Sequence, residues 1–487
     1  MSVPEIITFS IYLVAMFTIG VFFYHVTSNL SDYILGGRRL GGVVAAFSAC
    51  ASDMSGWLLL GLPGAVYADG MNQVWIAIGL SIGAYINWQF VASRLRIYTE
   101  ITGDSITIPD YLENRFRDKS RILRIASASV ILVFFTFYTS SGLVSGAILF
   151  EKTFGLNYTN ALLSGCFVIV IYTFLGGFLA VSWTDFFQGA LMLVALILVP
   201  IAVLKELGGW EGTISIISGM NIKYLSIYTD MSVVSAISLM AWGLGYFGQP
   251  HILSRFMAVK STGEIPKARL IGMSWMVISL YGAILTGFSG LAYFSGNPLS
   301  NPETVFIVLA RAVFNPWISG FLIAAILAAI MSTVDSQLLV CSSVIVQDFY
   351  KGLFRKDASQ KELVWMGRSW VVLIALCAVY IARDPKSRIL DLVAYAWAGF
   401  GASFGPVVIF SLFWKRMTRN GALGGIVIGA LTVIFWKQMK GGIFDIYEIL
   451  PGFILCSIGI IIISFIDNPP EDEIKAEFNE VKLDQGI

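Results

Sequence analysis

The sequence predicts an all-α, polytopic membrane protein of about thirteen transmembrane helices, two of them broken at matching positions. Three observations predict it. Of 487 residues, 57% are hydrophobic and only 13% charged, about half the roughly 25% of a soluble domain. The apolar residues gather in runs near the ~20 residues that cross a bilayer as helix. Two of those runs are interrupted by Gly and Pro. The 32 Lys and Arg nearly balance the 31 Asp and Glu, which argues against a nucleic-acid partner. His25, His251 and five scattered cysteines (Cys50, Cys166, Cys341, Cys377 and Cys456) exclude a zinc cluster or a disulfide scaffold.

In chain order the apolar runs are 5–25, 42–68, 73–93, 125–150, 159–182, 187–204, 233–254, 270–294, 315–345, 369–382, 390–414, 421–437 and 449–466. The polar Ser182-Trp183-Thr184-Asp185 separates the fifth from the sixth, and the tenth is short. No Lys or Arg precedes Arg38, which lacks the basic start of a cleaved signal peptide and favours an outside N-terminus. Thirteen spans then leave the C-terminus inside. With that orientation 23 of the 32 Lys and Arg fall inside, as the positive-inside rule expects. No connecting stretch suffices for a separate soluble domain. Residues 1–468 therefore read as one membrane domain, and 469–487 as a mobile cytoplasmic tail.

The second run contains Ala51-Ser52-Asp53-Met54-Ser55-Gly56-Trp57 and then Gly61-Leu62-Pro63-Gly64. The seventh contains Trp242-Gly243-Leu244-Gly245-Tyr246-Phe247-Gly248-Gln249-Pro250. Gly costs about 1 kcal/mol in a helix interior and Pro about 3. For either run alone, a packing kink is the alternative. Their positions argue for more, because each opens a block of five spans, about 42–204 and 233–414. Interrupted segments at corresponding places point to a transporter with inverted repeats and a midplane site. Spans 5–25, 421–437 and 449–466 are then peripheral.

Asp53 is the only ionisable residue deep in the second run. A carboxylate there costs about 2.5–3.5 kcal/mol on insertion scales, which marks it for function or for a buried partner. In the ninth run Ala329, Ser332, Thr333 and Ser336 fall at i, i+3, i+4 and i+7, on one helix face. Hydroxyls, with carbonyls freed near Ala51 and Met54, suit a hard cation such as sodium. Hydrogen bonding within the bundle is the alternative. Asp335 adds a carboxylate near that face, and Asp185 another at the junction of the fifth and sixth runs. Trp242, Tyr246 and Tyr138 could wall an organic substrate or pack the core. Arg38 and Arg39 mark the inner interface.

Over roughly 31–468 the chain resembles the solute:sodium symporter family. The segments that carry the likeness are Asp32–Leu40 (DYILGGRRL), Ala51–Tyr67 (ASDMSGWLLLGLPGAVY), Gly176–Gln188 (GGFLAVSWTDFFQ), Trp242–Ala258 (WGLGYFGQPHILSRFMA), Ala324–Leu339 (AAILAAIMSTVDSQLL) and Met417–Lys437. The resemblance implies the five-plus-five inverted-repeat fold of LeuT-type transporters in a bacterial cytoplasmic membrane. It implies a sodium site of the Ala51, Met54 and Ala329 carbonyls with the Ser332 and Thr333 hydroxyls. It implies a substrate pocket of Ser55, Tyr138, Trp242, Tyr246 and Pro250, with L-proline the expected substrate and another small organic solute the alternative. Arg38 and Asp53 are expected to serve sodium coupling. Asp185, Ser332, Asp335 and Ser336 match the face that holds a second sodium in some members, so one or two sodium ions is open.

The function expected is therefore sodium-coupled uptake by alternating access, with sodium and L-proline as cargo, the bilayer as surroundings and no obligatory protein partner. A passive channel would need a filter or a charged ring, and neither is present in the sequence. An enzyme would need a nucleophile–base pair or a metal set, and neither is found. There is no P-loop.

Overall fold

The computed structural model describes residues 2–24, 29–175, 177–229, 231–385 and 387–484; His25 lies outside them. The apolar runs become helices, because in hydrocarbon a backbone N–H or C=O must be satisfied within its own segment. They are α1 (Val3–Tyr24), α2 (Gly42–Asp53), α3 (Trp57–Asp69), α4 (Met71–Ile101), α5 (Ile122–Phe154), α6 (Tyr158–Leu175), α7 (Phe178–Glu206), α8 (Val233–Gly248), α9 (Pro250–Ala258), α10 (Thr262–Tyr293), α11 (Pro316–Phe354), α12 (Gln360–Ala382), α13 (Ile389–Phe413), α14 (Arg419–Trp436) and α15 (Ile449–Ile466). Among the described residues ten are individually long and apolar enough to cross a membrane, and α2 with α3 makes a further span bent by 60°. α6 and α8 are shorter apolar helices.

Three expectations are corrected, and the connection 205–232 carries a helix, Gly209–Asn221. Ser182–Asp185 does not separate two helices but lies inside α7, which starts at Phe178 after an extended Gly177. The Ser182 and Thr184 hydroxyls bond to carbonyls one turn back, Phe178 at 2.8 Å and Ala180 at 3.0 Å, so neither hydroxyl is left unsatisfied inside the helix. The tenth run is the apolar end of the 23-residue α12, whose charged first turns hid its length. The tail folds as α16 (Asp472–Asp484). Its Phe478 is buried, with the Arg94 guanidinium 5.0 Å from its ring.

The two broken helices are clasped at one end. The Leu40 N–H donates to the Ala258 carbonyl (3.2 Å), and Lys260 N–H to Leu40 (2.8 Å), joining the entry to α2 with the exit from α9. α1 packs on α7 and α11, and α14 and α15 pack on each other and on α13.

α4 crosses the second break at backbone distance. A Cβ on Gly83 would stand 2.1 Å from the Gly243 carbonyl oxygen, and one on Gly79 2.2 Å from that of Met240. These are small residues spaced four apart, the pattern that lets membrane helices touch. Because backbone cannot swing aside, Gly83→Val should abolish folded yield in detergent chromatography, whereas Gly219→Ala, with open space around its Cβ, should leave it unchanged.

Beyond α3 lies a cavity of about 400 Å³, lined in part by Gly61, Gly64, Asp69, Glu303 and Arg388. Glu303 accepts the Ile389 N–H at 3.1 Å, capping α13. Burial pushes its carboxyl up to about 7 from 4.5, although the Leu390 and Ile389 N–H groups pull the other way. The folded chain therefore holds this proton more tightly than the unfolded chain. The stability it contributes is complete below 4.5 and lost as pH rises toward 7. Glu303→Gln, which cannot titrate, should flatten the decline of melting temperature across that window; equal declines in both proteins would refute the assignment.

Candidate functional site

α2 ends at Asp53 because the next residues leave the helix, Met54 at φ −84° and ψ 76°. The Ser55 N–H turns back onto the Asp53 carbonyl (3.0 Å). Helix resumes at Trp57 with a wide turn. The break frees carbonyls in the bundle interior, and each must find a donor or a cation. The Asp53 carbonyl takes the Trp57 indole N–H (3.2 Å) and the Tyr138 hydroxyl (3.3 Å). The Ala51 carbonyl takes two hydroxyls from α11, Ser332 at 2.8 Å and Thr333 at 3.3 Å. Ser332 Oγ also lies 3.1 Å from the Ala329 carbonyl. Ala51, Ala329, Ser332 and Thr333 thus form one buried oxygen cluster, and Met54 stands at the open end of α2, fully buried.

The second break has a different cause. α8 tightens through Ala241–Gly248, Gln249 is extended, and Pro250 starts α9 at a first-turn position that needs no N–H. The Tyr246 hydroxyl donates to Asp53 Oδ2, joining the two breaks through one hydrogen bond. Asp53 Oδ1 is buried and has no hydrogen-bond partner among the described residues. A bare carboxylate oxygen in the bundle interior attracts a cation. Trp242 stacks on Tyr447 (5.3 Å) and Trp397 (6.5 Å) and lies 6.3 Å from Trp57. Tyr138, Tyr246 and Trp57 therefore converge on Asp53, and Trp242 forms the next aromatic layer. Ser55 is buried beside Asp53, its hydroxyl accepting the Trp57 N–H at 3.4 Å. Pro250 is buried at the start of α9, one turn from Tyr246.

Arg38 is elsewhere. It joins Asp104 (2.8 Å), Thr99 (3.2 Å), the Ser105 carbonyl (2.9 Å) and the Met257 carbonyl (2.7 Å), fastening the end of α9 to the end of α4. It is a latch at the clasped end, more than an interface marker. Asp185 and Ser336 are also apart from the Ala51 cluster. They meet around the guanidinium of Arg255, with Asp335 beside them on α11.

Several residues escaped the sequence reading. Arg255 had been counted with the loop charges, as had Arg94, Arg96, Arg115 and Arg124, yet all five are buried. The signal was the surplus of carboxylates in apolar helices, which need a counter-charge. Asn87, an amide in an apolar run, donates to the Tyr246 carbonyl at 2.9 Å and so satisfies the second break. Trp397 does the same for the Trp242 carbonyl at 2.7 Å. Nothing local in the sequence marks it.

Broken helices that meet at buried hydroxyls, carbonyls and a carboxylate define the class, a membrane-embedded secondary transporter. The chain belongs to the sodium:solute symporter family, whose model matches residues 33–429. It is 55% identical to the sodium/proline symporter of Escherichia coli strain K12, over 98% of this chain and 96% of that protein. It is 54% identical to the high-affinity proline transporter PutP of Bacillus subtilis strain 168, over 96% of this chain and 98% of that one. The osmoregulated proline transporter OpuE of the same organism is 50% identical, over 96% of each. Among solved structures, a Na+-coupled sialic acid symporter in a substrate-bound outward-open state superposes with a TM-score of 0.80 at 19% identity, over 96% of this chain and 99% of that one. That likeness establishes a shared fold.

Proposed function

We propose that this chain carries L-proline across a bacterial cytoplasmic membrane, driven by sodium that enters with it, through alternating access. Relatives 50–55% identical along nearly their whole length are named for proline. The observation that carries the coupling is the contact of the Ser332 and Thr333 hydroxyls with the Ala51 carbonyl, two residues from an Asp53 that Tyr246 bridges to the second break.

The cargo ion would take the carbonyls of Ala51, Met54 and Ala329 and the hydroxyl lone pairs of Ser332 and Thr333, the hydroxyl protons turning away from Ala51. Bound there, it fastens the broken α2 to α11. Asp53, one residue from Met54, adds a favourable field. Proline would lie between the breaks, its ring against Tyr138, Trp242 and Tyr246 near Pro250. Its carboxylate would meet Ser55 and the N–H groups opening α3, where the helix dipole is positive. Each change of state then follows from differential affinity for the loaded form. One sodium crossing 100 mV supplies about 2.3 kcal/mol, enough for roughly 50-fold accumulation before any sodium gradient.

The same reading takes residues 1–468 as one domain of thirteen spans, with inverted repeats about 42–204 and 233–414, the N-terminus outside and the C-terminus inside. The charge asymmetry supports the orientation. The test is uptake of labelled proline by the purified protein in liposomes. Accumulation above equilibrium only with an inward sodium gradient is the expected result. Sodium-driven accumulation of a different solute would replace the substrate, and mere equilibration would overturn the coupling.

A further inference from the structure

Where α5 begins and α11 ends, a cavity of about 200 Å³ is lined by Arg121, Arg124, Gln347, Lys351, Gly352 and Lys356. Four of these six residues are cationic. One of the four is already paired. Arg124 is buried, with Nε 2.9 Å from Asp348 and Nη1 3.2 Å from Glu113, and it also pairs with Asp110. Arg121 stands just before α5 at φ 61°, a backbone conformation that residues with a side chain seldom adopt. Its guanidinium donates to the Gly352 carbonyl and so faces the loop that follows. Lys351 and Lys356 form no ion pair among the described residues. The charge of Lys351 reaches Asp110, a carboxylate that Arg124 already holds. Gln347 adds a buried amide oxygen with no hydrogen-bond partner among the described residues. The cavity thus offers unpaired cations and one free acceptor, which is the complement of an anion that carries a hydroxyl.

We propose that this cavity holds the phosphate of an anionic membrane phospholipid with a hydroxyl-bearing headgroup. Its place argues for a lipid. The cations stand at the ends of two helices long and apolar enough to cross a membrane, the depth at which headgroup phosphates lie. Beside them in sequence Ile122, Leu353 and Phe354 are exposed, Phe354 at 75%. Exposed apolar side chains at the end of a span suit acyl chains, whereas a free anion gains nothing from them. Lys351 and Lys356 would meet the phosphate as mobile point charges, and Arg121 would close the side nearest α5. The Gln347 oxygen would accept the headgroup hydroxyl. Held there, the lipid joins the start of α5 to the end of α11, the helices that carry Tyr138 and Ser332, at a distance from both breaks. The inference needs a chain that spans a membrane, and rests on neither the cargo nor the coupling.

The experiment uses the purified protein, stripped of lipid in a neutral detergent. It is titrated with phosphatidylglycerol, with phosphatidylcholine of the same acyl chains and with inorganic phosphate. Native mass spectrometry counts the bound lipid, and the melting temperature follows occupancy. Phosphatidylglycerol should bind and raise the melting temperature, and the other two probes should do neither. Lys351→Gln combined with Lys356→Gln should weaken phosphatidylglycerol binding by about 25-fold, each lysine near a lipid surface contributing about fivefold. Arg355→Gln combined with Lys361→Gln removes the same charge from the same connection outside the cavity, and should leave the affinity unchanged. Unchanged affinity in the lysine pair, or an equal loss in the second pair, would overturn the proposal. Phosphatidylcholine binding as tightly would overturn it too, and inorganic phosphate competing equally well would assign the cavity to a free anion instead. Lys356 is exposed, so Lys356→Gln alone, with an expected fivefold loss, decides should the pair fail to fold. Failure of proline uptake with these affinities intact would overturn the proposed function and leave the lipid site standing.

Discussion

Ser332→Ala is expected to raise the sodium concentration for half-maximal uptake by about 10- to 100-fold, with the protein folded and the maximal rate recoverable at high sodium. The Ser332 hydroxyl spans 2.8 Å to the Ala51 carbonyl and 3.1 Å to that of Ala329, and its contact with Ala51 is the shorter of the two hydroxyl contacts that join the helices of the proposed ion site. A hydrogen-bonding group facing a charge is worth roughly 1.5–3 kcal/mol, and 1.4 kcal/mol is tenfold. Loss of the hydroxyl removes one oxygen from the cation and leaves the helices in place, because alanine fits a helix interior well. Thr333→Ser keeps the oxygen and should stay within a few-fold of the parent. Uptake titrated against sodium checks both. An unchanged half-saturation in Ser332→Ala would remove this residue from the site.

The other large effect belongs to the bridge between the breaks. Asp53→Asn should lower proline uptake at limiting sodium by more than tenfold, and Tyr246→Phe should do so by a similar factor. The two should not add. Tyr246 donates a hydrogen bond to one Asp53 carboxylate oxygen, and the other has none among the described residues. With the phenol removed, both oxygens are bare, at a cost of about 1–3 kcal/mol for an unsatisfied buried acceptor. With the carboxylate neutralised, the phenol keeps an acceptor and the ion loses a charge two residues from Ala51. Because the phenol acts on the ion only through that carboxylate, removing it from a protein that already carries Asp53→Asn should cost little more, and the double variant should resemble the worse single one. Rates measured for all four proteins make the cycle, and additive losses would show that Asp53 and Tyr246 act independently. Asn87 and Trp397 support this bridge from behind by holding the Tyr246 and Trp242 carbonyls.

Much of this was legible in the residues. Clustered Gly and Pro beside polar residues marked the two broken helices, because their backbone penalties are local and add, whereas a single Pro200 or Pro406 leaves α7 and α13 continuous. Spacing on α11 declared one face for Ala329, Ser332, Thr333 and Ser336, because helical period is local too. What lay hidden was identity of partner. Ser336 shares the face of Ser332, yet the structure gives Ser332 to Ala51 and Ser336 to Arg255, a distinction made by which helix crosses at each turn. Asp185 read as a junction because a polar tetrapeptide resembles a loop; inside α7 its charge is met by an arginine 70 residues away. The tail read as mobile because it is charged, and Phe478 docks it.

The sequence by itself determined a helical membrane protein, its apolar segments, its two breaks and the chemistry they expose. Insertion energy, helix propensity and periodicity are sums over neighbouring residues, and neighbours are what a sequence displays. Only the tertiary structure decided that Tyr246 reaches Asp53 across 193 positions and that Arg255 gathers Ser48, Asp185 and Ser336 from three helices. A buried charge or a freed carbonyl requires a partner but does not specify one. The choice is made by whichever helix packs within hydrogen-bonding distance.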